Sequence, residues 1–218
     1  MISAQTILDS ARGTLLDNAK RTWSDDDLLT YLNEGLGATC GVKADAYTQE
    51  EYVQLTAGTL QTIPDNGTSL IRISENRNGR IVTQVDYDLL QESNRFWPRG
   101  TMETTVENYA ADPRDPRRFV VSPPNDGRGQ VRMLWATPPD PITDASAEMP
   151  LSDIYRPPLI DYVLSRAYAK NTARQDLTKS ATYYQRWGQF LGLRSSTQIA
   201  VAPRVASEPG TSPAGATK

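Results

Sequence analysis

No histidine occurs anywhere in the 218 residues, and that absence removes more chemistry than any motif supplies. Without imidazole there is no Ser–His or Cys–His nucleophile pair, no histidine-bearing zinc site and no neutral-pH histidine switch. Carboxylate, lysine, tyrosine and arginine chemistry remain. A single cysteine, Cys40, excludes an internal disulfide framework and fits a reducing compartment. No apolar run approaches the roughly 18 residues that a membrane span needs, so no membrane partner is expected. The first eleven residues lack the basic start and apolar block of a signal peptide, which points to a protein made and kept in the cytoplasm or in something assembled there. GxxxxGK[ST], GxGxxG, CxxC and GxSxG are all missing, as is any internal repeat. The 23 basic and 26 acidic residues give a net charge of -3, the wrong sign for a dedicated phosphate-backbone binder. No catalytic residue, cofactor or metal is expected.

What is present is helical at both ends. In residues 151–192, Pro157 and Pro158 sit where a helix can begin, because proline there gives up only an orphan N–H. Leu159, Ile160, Val163, Leu164, Ala167 and Tyr168 then mark one broad helical face. After the polar stretch 171–178, Ala181, Tyr184, Trp187, Phe190 and Leu191 repeat the spacing and stop at Gly192, which reads as a helical hairpin. At the other end Ser3 can cap a helix with Ala4, Ile7, Leu8, Ala11 and Leu15 on its face, running towards Lys20 and Arg21. Ser24 followed by Asp25, Asp26 and Asp27 is a strong helix start, and Leu28, Leu29, Leu32 and Leu36 follow. Gly35, Gly37 and Gly41 within that helix imply close approach of another backbone or fraying.

From Thr48 the period changes to two. Residues 52–55, 59–63, 69–74, 80–85, 106–109, 118–121 and 130–136 read as short antiparallel strands, with a short helix in 86–94. Asp112-Pro113-Arg114-Asp115-Pro116 and Pro123-Pro124-Asn125-Asp126-Gly127 read as connections, and 137–150 as a return link. The fold class expected is α+β: a discontinuous four-helix bundle formed by N- and C-terminal helices, with an inserted antiparallel β-sheet or sandwich segment and an extended C-terminal tail. The parts are 1–47 and 151–193 for the two halves of the bundle, 48–150 for the β-rich insertion and 194–218 for the tail. The tail is rich in small and polar residues, with Ile199, Val201 and Val205 as its candidate anchors on a partner.

Three clusters invite chemistry. Asp25, Asp26 and Asp27 suggest a metal site, but successive helix-start carboxylates fan outward, and capping is the stronger reading. Glu34 is the best-placed lone carboxylate for acid catalysis and is more simply a solvated one. Trp97, Arg99, Arg114, Arg117, Arg118, Arg128, Arg132 and Trp135 could form a sheet-based platform for nucleic acid. Asp112, Asp115 and Asp126 interleave with those arginines, which favours a salt-bridged surface within or between subunits.

Several pieces in order carry a resemblance. They are Trp23-Ser24-Asp25 leading into Leu28-Leu29-Thr30-Tyr31-Leu32-Asn33-Glu34-Gly35, then Gly58-Thr59-Leu60-Gln61-Thr62-Ile63-Pro64. Asp112-Pro113-Arg114-Asp115-Pro116-Arg117-Arg118-Phe119 follows before a Pro-Pro turn, and Asp161-Tyr162-Val163-Leu164-Ser165-Arg166-Ala167-Tyr168-Ala169-Lys170 closes the series. The chain resembles the head-to-tail adaptor (connector) proteins of short-tailed bacteriophages, the tail tubular protein A type, over all but its last 25 residues. The resemblance implies a non-enzymatic virion protein at the portal vertex, assembled in the host cytoplasm. It implies a homo-oligomeric ring, a dodecamer, between the portal protein and the tail nozzle or tail tubular protein, with viral DNA passing through without sequence-specific binding. It brings no catalytic residue with it. On this reading Ile199, Val201 and Val205 meet the portal or tail, and Tyr183, Arg114, Arg117 and Arg118 are candidates for the ring interface. The alternatives are an adaptor with cell-wall-degrading activity through a carboxylate such as Glu34, and a sheet-based nucleic-acid-binding module.

Overall fold

The computed structural model of the chain describes residues 3–93 and 97–193. Among these, five α-helices and two β-sheets make a mixed α+β fold. Helix α1 is Ala4–Leu15 and α2 is Asp25–Val42; seven strands and the short α3 (Tyr87–Ser93) follow, and α4 (Arg156–Ala169) and α5 (Leu177–Phe190) end the order. One apolar core is drawn from α1, α2 and α4 together with Trp23, Ile142, Met149 and Leu151. α4 is the hub, touching α1, α2 and α5.

The N-terminus of α1 departs from its expected chemistry. Ser3 makes no side-chain cap; instead the carbonyls of Ala147 and Ala145 accept from Ala4 N–H at 3.0 Å and Gln5 N–H at 2.7 Å. The stretch 137–150 is thus more than a return link, since it satisfies orphan donors of the first helix. It is pinned in turn by Asn33, whose side chain accepts from Ile142 N–H (2.8 Å) and donates to Ile142 O (2.9 Å). α1 also ends five residues before Lys20, with Leu16 in the left-handed region. The loop that follows wraps around buried Asp17, which accepts from the backbone N–H groups of Arg21, Thr22 and Trp23 at 3.0–3.1 Å. Burial disfavours that carboxylate, but the three donors outweigh it and hold its pKa below the ordinary value.

α2 starts as expected. Ser24 Oγ accepts from Asp27 N–H, and the Asp27 carboxylate accepts from Ser24 N–H at 2.9 Å, a reciprocal capping box. Of its glycines only Gly35 is a point of close approach: a Cβ there would stand 2.9 Å from Tyr162 Cδ1 on α4, whereas Gly37 and Gly41 face open space.

The strands are β1 (Thr48–Gln54), β2 (Ala57–Thr62), β3 (Ser69–Asn76), β4 (Thr83–Gln84), β5 (Asn108–Ala111), β6 (Arg118–Asp126) and β7 (Gln130–Ala136). They form a three-stranded sheet in the order β1-β7-β3 and a four-stranded sheet in the order β2-β6-β5-β4. The first four strands do not build ladders with one another, although Glu75 of β3 bridges to Ile81 just before β4, and β4 pairs with β5 in parallel, so the all-antiparallel expectation fails there. β6 also runs on through Pro123 and Pro124, which had read as a connection. Its partner β2 skips from Gly58↔Asn125 to Leu60↔Val120, so both prolines fall in a bulge where no ladder N–H is required on that side. Val121, Phe119 and Tyr109 from one sheet and Val131, Met133 and Trp135 from the other close a second core.

The second face read for the C-terminal hairpin is only half buried. Trp187 and Leu191 are covered, but Tyr184 is 52% and Phe190 48% exposed, and Ala181 is exposed as well. α5 rests mainly on α4, with Trp187 also donating from Nε1 to Thr39 Oγ1 of α2 at 3.2 Å, and it is an outer helix.

The glycine geometry gives the first prediction. Gly35→Ala is expected to lower stability by about 1–3 kcal/mol through overpacking on Tyr162. Gly37→Ala, in open space, should raise it by up to about 1 kcal/mol by helix propensity. Denaturant titration of the two variants with opposite signs supports this packing, and equal shifts contradict it.

Candidate functional site

The side chains that could carry chemistry are held in ion pairs and cores, and what remains open is surface. Glu34, the candidate acid, accepts from Arg166 Nε at 2.7 Å across the α2–α4 contact. The helix-start aspartates diverge as expected. Asp25 takes Lys20 and Arg12, the latter at 2.6 Å, while Asp27 takes Lys170 at 2.8 Å and Asp26 is exposed. Among the described residues no group of three or more acidic or thiol side chains could hold a metal ion. Cys40 is buried, and that burial pushes its thiol pKa up, away from nucleophilic use.

The basic and aromatic cluster separates on folding. Trp135 is 2% exposed inside the sheet core, and Trp97 is 8% exposed against Leu90, Ala110 and Val120, so neither ring offers a face for base stacking. Arg128 closes on Asp126 through Nη2 at 2.7 Å and Nε at 3.0 Å. Arg132 lies near Glu75 at 3.4 Å and over the Tyr52 ring. A solvated, salt-bridged surface is therefore the arrangement seen, as the interleaved aspartates suggested.

The ring-interface candidates sit in two places. Arg114 and Arg117 on the turn between β5 and β6 and Arg118 at the start of β6 are all exposed. Arg118 Nε is 3.2 Å from Asp115, and Arg117 reaches the neighbouring turn at Asp65, with its Nη2 3.4 Å from the Asp65 carbonyl and 3.7 Å from the carboxylate. The Arg114 side chain has no partner among the described residues; only its N–H is used, donating to Asp112. Tyr183 is half-buried, stacked parallel on Tyr168 with centroids 5.9 Å apart, and Arg186 lies over its ring. It is thus brought together with the helical core rather than with the arginine turn. Ile199, Val201 and Val205 lie outside the described residues.

Sequence reasoning missed two surfaces. One is the set of exposed apolar side chains of α5, Leu177, Tyr184 and Phe190, with Leu193 just beyond it. Periodicity could not find it, because an apolar helix face has the same spacing whether a partner covers it or not. The other is the edge of β1 away from β7, which pairs with no strand among the described residues, since the sheet order follows from pairings between strands far apart in the chain. Between the helices and the sheets lies a cleft of about 440 Å³ lined by Asn33, Tyr47, Gln49, Asn66, Thr137 and the prolines 138, 139 and 141.

The family model for the SU10 adaptor protein matches residues 2–210, which takes in much of the C-terminal stretch that the sequence resemblance had left out. No curated protein matches the chain.

Two predictions follow from the surface chemistry. Arg114→Glu should leave the folding free energy within about 0.5 kcal/mol of the parent, because the side chain holds nothing within the subunit. A larger shift in chemical denaturation would show a partner inside the subunit. The Asp126 carboxylate accepts from Thr104 Oγ1, from Arg128 N–H and from the Arg128 guanidinium, and these hold its pKa down at about 2. A depressed folded-state value means that the contribution of this corner is present above the ordinary value of 3.8 and is lost as pH falls through about 2. An NMR titration of Asp126 with its midpoint near 2, raised by Thr104→Val, is expected; an ordinary carboxylate midpoint argues against the corner.

Proposed function

The chain belongs to the SU10 adaptor protein family, and from that premise we propose that it is a structural, non-enzymatic protein of a bacteriophage virion. It sits as a ring, twelvefold, between the portal protein and the tail nozzle, and viral DNA passes through the centre. The observation that carries this reading is the family match across residues 2–210.

The arrangement of side chains supports it. Glu34, the one carboxylate considered for cell-wall degradation, is engaged by Arg166, and the tryptophans considered for base stacking are in cores. A net charge of -3 suits a channel that lets DNA slide, because a strongly basic wall would capture it by counterion release. The helices from 1–47 and 151–193 form one bundle that sets the ring, and 48–150 meets neighbours or tail. Arg114, Arg117 and Arg118 project from the β layer to acidic groups of the next subunit, and Tyr183 with its neighbours on α5 lines the helical part of the same contact. Ile199, Val201 and Val205 reach the portal or tail.

The test combines purified portal with the full chain and with a form lacking residues 194–218. Negative-stain images should show a twelvefold ring on the portal with the full chain. The shortened form should keep its thermal midpoint but fail to join filled heads to tails. A full chain that leaves the portal bare contradicts the adaptor reading, and normal joining by the shortened form contradicts the role given to the tail.

A further inference from the structure

We propose that the arginine turn between β5 and β6 of one subunit docks on the acidic outer edge of β1 of a second copy, a head-to-tail contact repeated around the ring. The proposal rests on the adaptor reading and names the acidic groups that Arg114 and Arg117 meet.

The two halves of the contact stand on opposite sides of one sheet and at nearly one level along its strands. In the order β1-β7-β3, β1 and β3 are the two edges. The turn lies against the outer side of β3, where Leu70 N–H donates to Pro116 O at 2.9 Å. Leu70 is paired with Trp135 of β7, and Trp135 with Gln49 of β1. Glu50 and Glu51 are the next two residues of β1, so the acidic edge lies across β7 from the turn and within two residues of its level. A rotation about an axis parallel to the strands keeps that level and carries the turn of one copy to the β1 edge of the next. Patches at different levels would wind into an open filament instead of closing a ring.

Charge selects this pairing over its alternatives. Residues 44–54 carry Asp45, Glu50 and Glu51 and no cation. Glu51 is exposed with no partner among the described residues, and Glu50 has only Arg72 at 3.8 Å. On the turn the acids are already engaged: Asp112 accepts from Arg114 N–H, and Asp115 accepts from Arg117 N–H and faces the Arg118 guanidinium at 3.2 Å. The Arg114 head has no partner among the described residues, and Arg117 reaches only Asp65, whose fully exposed carboxylate is 3.7 Å away. Two-fold contacts fail on the same groups, because β1 against β1 sets glutamates opposite glutamates and turn against turn brings arginines together. The backbone of the turn is spent within the subunit, since the carbonyls of Pro116 and Arg117 accept from Leu70 and Ile63 N–H. It therefore offers side chains to a neighbour, not a strand. Guanidinium groups suit a sheet edge, because they donate both to carboxylates and to strand carbonyls left without a ladder partner. Exposed pairs of this kind contribute little singly. They fix neighbour and register among copies already gathered on the portal, rather than drive free subunits together.

Three full-length variants imaged by negative stain on purified portal test the contact: Arg114→Glu with Arg117→Glu, Glu50→Lys with Glu51→Lys, and all four changes in one chain. The parent should form the ring, and either charge reversal alone should lose it. The fourfold variant should regain it, and so should an equimolar mixture of the two reversals, because unlike patches of successive copies meet. A ring formed by either reversal alone overturns the proposal. So does the absence of a ring from both the mixture and the fourfold variant, when the urea midpoints of the reversals match the parent. Should a reversal not fold, Arg114→Cys with Glu51→Cys is treated on the portal with a short bis-maleimide, which the buried Cys40 thiol escapes. A ladder of covalent oligomers on a denaturing gel supports the contact, and monomer alone overturns it. A parent chain that leaves the portal bare contradicts the adaptor reading itself, so the two failures are told apart.

Discussion

Trp23 is the contact on which the two ends of the chain depend. It is fully buried, its indole N–H donates to Ala167 O at 3.0 Å, and Arg174 lies over its ring while reaching back to Leu15 O at 2.8 Å. The residues joined are 144 positions apart. Closing a loop of that length costs about 4 kcal/mol of chain entropy, which is of the same order as the 3–5 kcal/mol or so that burying one tryptophan contributes. One contact of this kind therefore offsets the closure, and the rest of the helical core adds to a loop already closed. Glu34–Arg166 and Asp27–Lys170 then flank the same seam as half-exposed ion pairs, which orient α2 on α4 more than they stabilise it.

The parts legible from the sequence were those in which local chemistry and packing agree. Ser24 with Asp27 announced its capping box because both partners lie within one turn, and the apolar stripe of α4 announced its burial because it is broad. Ser3 failed as a cap for a non-local reason: carbonyls more than 140 residues away took the donors it was expected to meet. Pro123 and Pro124 misled in the same way, since a proline pair reads as a break unless one knows that the partner strand bulges opposite it. The candidate surface was legible in composition and not in shape. The arginine turn 114–118 is exposed as its charges required, but Trp97 and Trp135, which looked like its companions, went to two different clusters.

The resemblance and the family match agree on a phage adaptor; the match does not speak to the tail tubular protein A type, and it extends into the C-terminal stretch. The absence of histidine and the lone buried Cys40 take on a consistent meaning in that light. Among the buried polar side chains, Asp17, Asn76 and Asn125 spend their hydrogen bonds on backbone groups of their own subunit, and Arg12 divides its own between Trp23 O and the Asp25 carboxylate. They shape the loops of the subunit, which run over its surface.

The sheet layer leaves the helices and returns to them at one place. Thr137 N–H donates to Tyr47 O at 3.2 Å, immediately beside the first β1–β7 pair, Thr48↔Ala136. A tension drawing the sheets away from the helices is consequently borne by two covalent strands side by side, with the hydrogen bonds between them lying across the pull. The helical layer would receive that load at the C-terminus of α2 and at the segment that covers the start of α1, and Asn33, midway along α2, already ties that helix to Ile142 of the segment.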